Sequence, residues 1–410
     1  MKAARWMGTH DVEVGLVPKP MITDPSDAIV QITHCSISGS DIHLYEGDLN
    51  NSMKKGDILG QEAVGLVEEV GPNVKSITPG DRVIILPIVA CGRCDYCQRQ
   101  EYSLCDVSNP YSEMEVLYGH RLSGMLGFSR LCGGYAGDQA EYCRVPNADL
   151  SCVKAPQDID ARKILGLANV ITTAWHALEL AEVQPGDIVG VWGCGPVGLS
   201  VQRLAKLRGA KKIYAMDRDP QRLRLAGEFG MTPIDVNDHS EVGEYILSIQ
   251  PKGLDRSIEA CGFRSTTRSP HAAVRAKGLE RDRGDTVGAI IKATRKGGNV
   301  ALIGDFFFST HDFPIGALMQ KALTVRGGQA WPQKTDKLQY HPFLLNLVID
   351  GKLDPSWMFT YEDEFENIAD HYQRFAKHEV PGGLKVCLVT SFGRSERLQP
   401  SSDMLVDRND

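Results

Sequence analysis

Four cysteines with the spacing of a metal site stand close together in the chain, at Cys91, Cys94, Cys97 and Cys105. Thiolates are preferred ligands of Zn²⁺, and four of them complete a tetrahedron that leaves no position open for water or substrate. A closed site of this kind is structural, because it stiffens a loop that is too polar to fold by burial. The spacing therefore predicts one structural Zn²⁺ per chain. The chain has 11 cysteines in all, and this odd number fits metal binding in a reducing compartment better than a disulfide framework.

A glycine run provides the second chemical pattern. Residues 189–198, Val-Gly-Val-Trp-Gly-Cys-Gly-Pro-Val-Gly, predict a buried strand, a G-x-G-x-x-G turn and then a helix over 199–207. We expect Gly193 to permit the tight turn, Gly195 to let a pyrophosphate approach the backbone, and Gly198 to pack the helix closely on the strand. Pro196 and Val197 lie at the start of the helix, whose free N–H groups and positive dipole end attract phosphate. These five residues are a predicted dinucleotide site.

A carboxylate stands where such a site needs one. The next predicted strand, 212–216, ends at Asp217, about 20 residues past the glycines, where a carboxylate can hold the ribose 2′-hydroxyl. Asp217 would repel a 2′-phosphate, so NAD(H) is predicted in preference to NADP(H). Arg218 follows directly and weakens that preference, and we include it among the predicted cofactor-binding residues.

The elements around these patterns predict two domains in 410 residues. Short alternating runs such as 27–33 and 63–70, broken by Gly-Pro and Pro-Gly turns, indicate a compact barrel-like fold of antiparallel strands. The pattern changes near Asp158. A helical stretch over 164–180 and then alternating strands and helices predict a doubly wound parallel sheet. A polar segment, 263–286, is a loop insertion to which we assign no form, and the polar tail 393–410 is predicted to be disordered.

Composition excludes several classes of protein. The formal net charge is −7, and no run of Lys or Arg suggests a nucleic-acid partner. The chain start has no apolar core of a signal peptide, and no apolar run approaches the roughly 20 residues that span a bilayer. We therefore expect a cytoplasmic protein that acts on a small molecule and has no membrane partner.

The order of these features resembles that of the zinc-type medium-chain alcohol dehydrogenases, and more closely the branch of glutathione-independent formaldehyde dehydrogenase and formaldehyde dismutase. The residues that carry the resemblance are the segments 118–121 (YGHR), 133–142 (GGYAGDQAEY) and 144–146 (RVP). The resemblance implies an α/β fold in which a GroES-like β-barrel-type catalytic domain accompanies a Rossmann domain, and it implies a homodimer or homotetramer. The corresponding boundaries are 1–163 for the catalytic domain with its zinc lobe at 91–105, 164–333 for the Rossmann domain, 334–392 for a return segment of the catalytic domain, and 393–410 for the tail.

Three positions depart from the family. It binds its catalytic zinc through a cysteine in a C-G-S-D segment, a histidine in G-H-E and a third ligand that is an aspartate in this branch. Here the corresponding residues are Ser38, Gln61 and Asn169. All three are poor zinc ligands, because zinc prefers thiolate, imidazole and carboxylate. The three replacements together predict that the catalytic zinc is absent.

Other matched positions keep the residue types of the family. The resemblance implies that Ser40 contacts the substrate oxygen and that His43 relays a proton to solvent. It places Arg222 near the adenosine ribose and Lys385 beside the pyrophosphate.

The chain keeps the cofactor and relay residues that the resemblance implies, but it lacks the ligands of the catalytic zinc. This combination predicts an NAD(H)-dependent oxidoreductase whose substrate needs no Lewis acid. Conjugated enones, quinone-like rings, iminium ions and other activated carbonyls fit this requirement. Ser40 with Ser38 would hold the developing oxyanion, His43 would relay the proton, and Gln61 and Asn169 would line the cavity. Two alternatives stay open: a non-redox enzyme (isomerase, cyclase or lyase) or pseudoenzyme on the same fold, and a conventional zinc-dependent alcohol or formaldehyde dehydrogenase.

Overall fold

The structure is a computed structural model that describes residues 1–263, 284–307, 310, 313–328, 340–380 and 383–398. The chain divides into two compact units. Unit 1 comprises Met1–Asn169 and Gln333–Asp410, and unit 2 comprises Val170–Pro332. The first boundary therefore lies at 169/170, whereas the sequence placed it at 163/164.

Unit 1 is a β-rich body with short helices at its edges. Its strands are β1 (Lys2–Gly8), β2 (Asp11–Leu16), β3 (Ala28–Cys35), β4 (Asp57–Ile58), β5 (Ala63–Val70), β6 (Arg82–Ile85), β7 (Ile88–Val89), β8 (Gly124–Met125), β9 (Tyr142–Val145), β10 (Cys152–Lys154), β17 (Phe359–Glu364) and β18 (Lys385–Val389). Its helices are α1 (Gly39–Tyr45), α2 (Asp95–Gln98), α3 (Glu115–Tyr118), α4 (Ala148–Ser151), α5 (Ala161–Leu165), α12 (Tyr340–Ile349), α13 (Ile368–Ala376) and α14 (Ser391–Leu398).

The main sheet of unit 1 is centred on β3. Its order is β10-β6-β5-β3-β18-β17, with β9 also paired to β3. Seven of the eight residues of β3 are buried, as expected of a strand at the centre of a sheet. The late strand β18 pairs antiparallel with β3, so residues from the end of the chain support the segment that leads into α1.

The end of the described chain corrects one prediction. Residues 391–398 form helix α14, although the sequence predicted disorder from residue 393. Gly393 packs so closely that a Cβ there would lie 2.4 Å from the carbonyl oxygen of Thr33. Arg394 donates to Glu366 at 3.3 and 3.4 Å, and Lys2 donates to the same carboxylate at 2.7 Å. Burial raises the pKa of Glu366, but these hydrogen bonds outweigh it and lower that pKa to about 2. Residues 399–410 lie outside the described residues.

Unit 2 is a doubly wound sheet of parallel strands in the order β13-β12-β11-β14-β15-β16, as the sequence pattern predicts. The strands are β11 (Ile188–Trp192), β12 (Lys212–Asp217), β13 (Thr232–Asp235), β14 (Leu254–Glu259), β15 (Thr294–Leu302) and β16 (Thr324–Gly327). The helices are α6 (Val170–Leu180), α7 (Pro196–Leu207), α8 (Pro220–Glu228), α9 (Val242–Ile249), α10 (Asp285–Ala293) and α11 (Ile315–Gln320).

Three element boundaries differ from the sequence predictions. The stretch predicted as one helix over 164–180 is two helices, α5 and α6, with a break at 166–169. Helix α7 begins at Pro196 rather than residue 199, because proline is well suited to the first helical position. The sequence predicts that a helix stops at Gly297-Gly298 and that a strand begins at Val300. Strand β15 instead begins at Thr294 and passes through Gly297, where φ is +66°.

Most of the predicted insertion 263–286 lies outside the described residues. Among the helices of the described ranges, none is both long and apolar enough to cross a membrane.

Candidate functional site

The four predicted cysteines form a compact thiol cluster in unit 1. Their sulfur atoms all lie within 4.8 Å of one another. The Cys91–Cys97 and Cys94–Cys105 pairs lie 3.9 and 4.0 Å apart. A tetrahedral zinc with Zn–S bonds of about 2.3 Å places its sulfurs about 3.8 Å apart, so the cluster fits Zn²⁺. The four sulfurs would hold the ion and provide structural support.

Backbone amides prepare this cluster for negative charge. The amide of Cys94 donates to the sulfur of Cys91, and the amide of Cys91 donates to the sulfur of Cys105, both at 3.3 Å. Burial raises the pKa of Cys105, but hydrogen bonds from Ser108 and neighbouring amides outweigh it and lower that pKa to about 7. Burial raises the pKa of Cys97. A divalent cation would stabilise all four thiolates together.

The three glycines of the turn in unit 2 have different backbone surroundings. Gly193 has φ of +105°, which only glycine adopts readily. A Cβ on Gly198 would lie 1.9 Å from the carbonyl oxygen of Gly193, so the helix contacts the turn as closely as predicted. A Cβ on Gly195 would meet only Arg222 Nη1, at 3.9 Å. Gly195 therefore leaves open space in which a pyrophosphate could approach, beside a guanidinium group.

Asp217 lies at the end of β12 next to this turn. Its Oδ2 accepts from the amide of Cys194 at 2.5 Å, and its Oδ1 accepts from the amides of Arg218 and Asp219 at 2.7 and 3.0 Å. The carboxylate is thereby held against the glycine turn, where the ribose hydroxyls of a dinucleotide would be recognised. The exposed Arg218 side chain follows it. The hydrogen bond from the amide of Cys194 to Asp217 and the position of Arg222 near Gly195 bring these predicted cofactor residues of unit 2 into one place.

Ser38 and Gln61, which we expect at two ligand positions of the family, are in direct contact in unit 1. Ser38 is the N-cap of α1, and its hydroxyl accepts from the amide of Asp41 at 3.2 Å. Gln61 Nε2 donates to the same hydroxyl at 3.2 Å. Both side chains are buried, so these two neutral polar groups satisfy one another without an ion.

The same contacts correct the role predicted for Ser38. Its hydroxyl donates to Asp41 Oδ2 at 2.9 Å. A serine has one hydroxyl proton, and here it is committed to a carboxylate, so Ser38 cannot also donate to an oxyanion. Ser40, the other predicted oxyanion donor, is half-buried in the first turn of α1. Asn169 is half-buried too and lies in the break between α5 and α6.

Three carboxylates are buried behind Ser38 and Gln61. The family resemblance implies two of them, Asp41 and Glu62, as supporting carboxylates of this site, and sequence reasoning did not identify the third. They are Asp41, Glu62 and Asp138, and each is 1% exposed or less. Burial raises the pKa of Asp41 to about 7 despite hydrogen bonds from Ser38. Burial raises the pKa of Asp138 well above its usual value, and the nearby charges of Asp41 and Glu62 raise it further. Asp41 Oδ1, Asp138 Oδ2 and both oxygens of Glu62 accept no hydrogen bond in the part of the chain that the structure describes, although Glu62 Oε2 is in an ion pair.

Lys385 neutralises part of this charge. Its ammonium lies 2.7 Å from Glu62 Oε2 and donates to the carbonyl oxygen of Ile37 at 2.8 Å. The side chain is 3% exposed, so its charge is compensated inside unit 1. The predicted contact of Lys385 with a pyrophosphate stays a prediction, and this pairing does not favour it.

His43 lies on α1, and its Nδ1 is 2.9 Å from Asp48 Oδ2. The family resemblance did not identify Asp48 as a partner. The local sequence contains a signal for it, because Gly47-Asp48 after the helix is typical of a C-terminal turn that brings the second residue back over the helix.

These features define a class: an oxidoreductase with a GroES-like domain, a Rossmann-type sheet and a zinc site. Residues 24–157 match the family "Alcohol dehydrogenase GroES-like domain", and residues 196–279 match "Zinc-binding dehydrogenase". A zinc-type alcohol dehydrogenase-like protein of Schizosaccharomyces pombe is 41% identical over 388 residues, which cover 94% of this chain and 90% of the relative. The glutathione-independent formaldehyde dehydrogenase of Pseudomonas aeruginosa is 30% identical over 364 residues, covering 84% and 86%.

A solved structure agrees with these relatives. The alcohol dehydrogenase TADH from Thermus sp. ATN1 is 31% identical and superposes with a TM-score of 0.78, covering 95% of this chain and 100% of that one. The chain therefore belongs to the zinc-type alcohol dehydrogenase family of medium-chain dehydrogenases, and it is an enzyme of the oxidoreductase class. The resemblance to this family, with formaldehyde dehydrogenase among the homologues, is confirmed.

Proposed function

We propose that the protein is an NAD(H)-dependent oxidoreductase that acts on an activated substrate without a zinc ion at Ser38, Gln61 and Asn169. The observation that carries this proposal is the contact between Ser38 and Gln61, 3.2 Å apart and buried. A hydroxyl that accepts from Gln61 and donates to Asp41 has its hydrogen-bonding capacity occupied by protein groups. An amide and a hydroxyl are also poor ligands for Zn²⁺.

Without a Lewis acid, the substrate must supply its own reactivity. A metal that polarises a carbonyl contributes several kcal/mol of transition-state stabilisation, whereas a single oxyanion donor contributes about 3–4 kcal/mol. Plain alcohols would therefore react slowly. Conjugated enones, iminium ions and quinone-like rings have low-lying electrophilic carbons and fit this limit.

The chain's own groups have separate tasks in this proposal. When bound, NADH supplies a hydride, and a carbonyl-type substrate takes up that hydride and one proton while NAD⁺ is formed. Ser40 donates to the developing oxyanion, and His43 delivers the proton. In unit 2, the glycine turn accommodates the pyrophosphate, Arg222 lies beside it and Asp217 holds the ribose. The carboxylate of Asp217 favours NAD(H) over NADP(H).

Two measurements on the purified full-length protein test the proposal. We expect one zinc per chain, bound by the four cysteines, and NADH oxidation with activated acceptors but little with ethanol. Gly195→Asp, which adds a negative side chain to the open face of the glycine turn, should abolish NADH binding, while Gly288→Ala is a matched control in unit 2 with open space around its Cβ. Two zinc ions per chain, with rapid alcohol oxidation, would instead support a conventional zinc-dependent dehydrogenase. Product formation at constant NADH absorbance would support a non-redox enzyme.

We also propose a homodimer formed through the edge of unit 2. Strand β16 ends the described sheet, and none of the residues of the neighbouring helix α11 is buried. Ile315 and Met319 on that helix are 60% and 71% exposed. A two-fold axis would pair β16 with its copy and cover these side chains. Light scattering should show a dimer, and Met319→Glu should shift it towards monomer.

A further inference from the structure

Helix α1 ends in a turn that carries Asp48 back over His43. Gly47 has φ of +86°, its amide donates to the carbonyl of Leu44 at 3.3 Å, and the amide of Asp48 donates to the carbonyl of His43 at 3.0 Å. This pair of bonds is a Schellman motif, which requires a residue such as glycine in the left-handed region. The backbone of Asp48 is therefore anchored to the same residue that its side chain contacts.

The side-chain contact determines which ring nitrogen of His43 carries the proton. Asp48 Oδ2 lies 2.9 Å from His43 Nδ1. An ionised carboxylate can only accept a hydrogen bond, so Nδ1 must donate. In the neutral ring, Nε2 is then the nitrogen that can accept a proton. The two side chains are 13% and 25% exposed, so the pair is partly shielded from water.

We propose that Asp48 is a positioning residue for the proton relay, because it orients the His43 ring and fixes the tautomer in which Nε2 exchanges the proton. This inference rests on the proposed function, which makes His43 the relay group. Asp48 contacts no reacting atom in this scheme and acts only through His43. A carboxylate that holds a functional histidine in one tautomer typically contributes 10- to 100-fold, by analogy with outer-shell partners of metal-bound histidines.

Unit 1 also contains a second histidine–aspartate pair, in which the carboxylate faces the other ring nitrogen, and this pair serves as an internal control. His371 Nε2 lies 2.8 Å from Asp363 Oδ2, and the histidine side chain is 1% exposed. Here the carboxylate faces Nε2, so the neutral ring must carry its proton on Nε2. Since this ring is buried, its pairing supports the packing of α13 against β17 and not a proton relay.

The tautomers can be measured on the full chain without any substrate. We would label histidine with ¹⁵N, record long-range ¹H–¹⁵N spectra above pH 8, and identify the two rings by their disappearance in His43→Gln and His371→Gln. We expect the Nδ1–H tautomer for His43 and the Nε2–H tautomer for His371. Asp48→Ala should shift His43 towards the Nε2–H form that free histidine prefers in water. Asp48→Asn should retain the Nδ1–H form, because the amide oxygen can still accept. An Nε2–H tautomer of His43 in the wild type, or an unchanged spectrum in Asp48→Ala, would overturn the inference.

An activity measurement connects the tautomer to the reaction. With an acceptor that the wild type reduces, Asp48→Ala should lower kcat by roughly 10- to 100-fold with little change in KM, and Asp48→Asn should recover most of it. Asp363→Ala should lower the melting temperature and leave kcat per folded enzyme unchanged. An unchanged kcat in Asp48→Ala would overturn the role in the relay. If the wild type reduces no acceptor, the proposed function fails, and the spectra still decide whether Asp48 positions His43.

Discussion

Unit 1 contains two places at which zinc-type dehydrogenases bind metal, and the two differ in what their side chains can offer. At the first, Cys91, Cys94, Cys97 and Cys105 place four sulfurs within 4.8 Å of one another. At the second, Ser38 and Gln61 hydrogen-bond to each other, and Ser38 is committed to Asp41. The thiol cluster can hold four thiolates only with a cation to offset their charge, whereas the polar pair is satisfied by itself. The difference shows that the same β-rich unit can present four thiols suited to Zn²⁺ at one place and a self-satisfied pair of neutral groups at another.

Removing one sulfur should have the largest effect. Cys105→Ser should lose the structural zinc and unfold the lobe that it closes, since structural zinc contributes about 10–16 kcal/mol of apparent binding free energy in small zinc domains. Zinc content and thermal unfolding measure this together. Cys143→Ala, at a buried cysteine outside the cluster, should keep its zinc. An unchanged zinc content in Cys105→Ser would show that the four cysteines do not bind the zinc.

Giving positions 38, 61 and 169 the ligand types of the family should add a metal ion. We expect the triple variant Ser38→Cys, Gln61→His, Asn169→Asp to bind a second zinc per chain, because thiolate, imidazole and carboxylate match the preference of Zn²⁺. Elemental analysis after dialysis against trace zinc would count the ions, and oxidation of simple alcohols would show whether the new ion is functional. The three single variants are the controls and should each remain at one zinc. A triple variant that also binds only one zinc per chain would mean that the three side chains do not lie close enough together to share an ion.

Breaking the ion pair of Lys385 and Glu62, which lies behind Ser38 and Gln61, should have an intermediate effect on the free energy of unfolding. Lys385→Met leaves Glu62 as a buried carboxylate without its cation, and loss of one partner of a buried pair costs about 3–5 kcal/mol. The double variant Lys385→Met, Glu62→Gln removes both charges and should recover much of the free energy of unfolding. Denaturant titrations of the two variants test this. Equal instability in both would show that the lysine acts through its packing.

The most gradual effect is a pH dependence at Asp41, which is spread over several pH units. Its pKa rises from 3.8 to about 7 on folding, mainly through burial. Between these values the folded state holds a proton that the unfolded state has released, so the contribution of Asp41 to stability is full below pH 3.8 and is lost as the pH rises to about 7. The free energy of unfolding of the wild type relative to Asp41→Asn should therefore fall across this window, by at most about 1.4 kcal/mol per pH unit, and stay level above it. Denaturant titrations at several pH values measure this difference, and a constant difference would contradict the predicted shift.

Local spacing was sufficient for the two patterns with the strictest geometry. The cysteines lie within one short lobe, and the glycines lie in one turn between β11 and α7, so chain connectivity alone brings each set together. The same local reasoning misplaced boundaries where packing competes with propensity. It joined α5 and α6 into one helix, and it treated residues 393–398 as disordered although Gly393 and Arg394 pack against unit 1.

Contacts between distant residues were beyond sequence reasoning. The pairs Lys385–Glu62 and Tyr372–Gln139 join residues far apart in the chain, the latter through a hydrogen bond of 2.7 Å. Even the short-range pair of Asp48 and His43 depends on how α1 ends. For Ser38, the residue type suggested an oxyanion donor, and only its neighbours showed that the hydroxyl proton is already committed.

The sequence by itself determined the family, the four-cysteine cluster, the glycine turn and the absence of good zinc ligands at Ser38, Gln61 and Asn169, because residue type and local spacing carry that information. The tertiary structure decided how the replaced positions are satisfied, which cation compensates Glu62 and which ring nitrogen of His43 faces a carboxylate. These depend on burial and on the direction of individual hydrogen bonds, which arise only when β18 joins β3 and α1 closes its final turn.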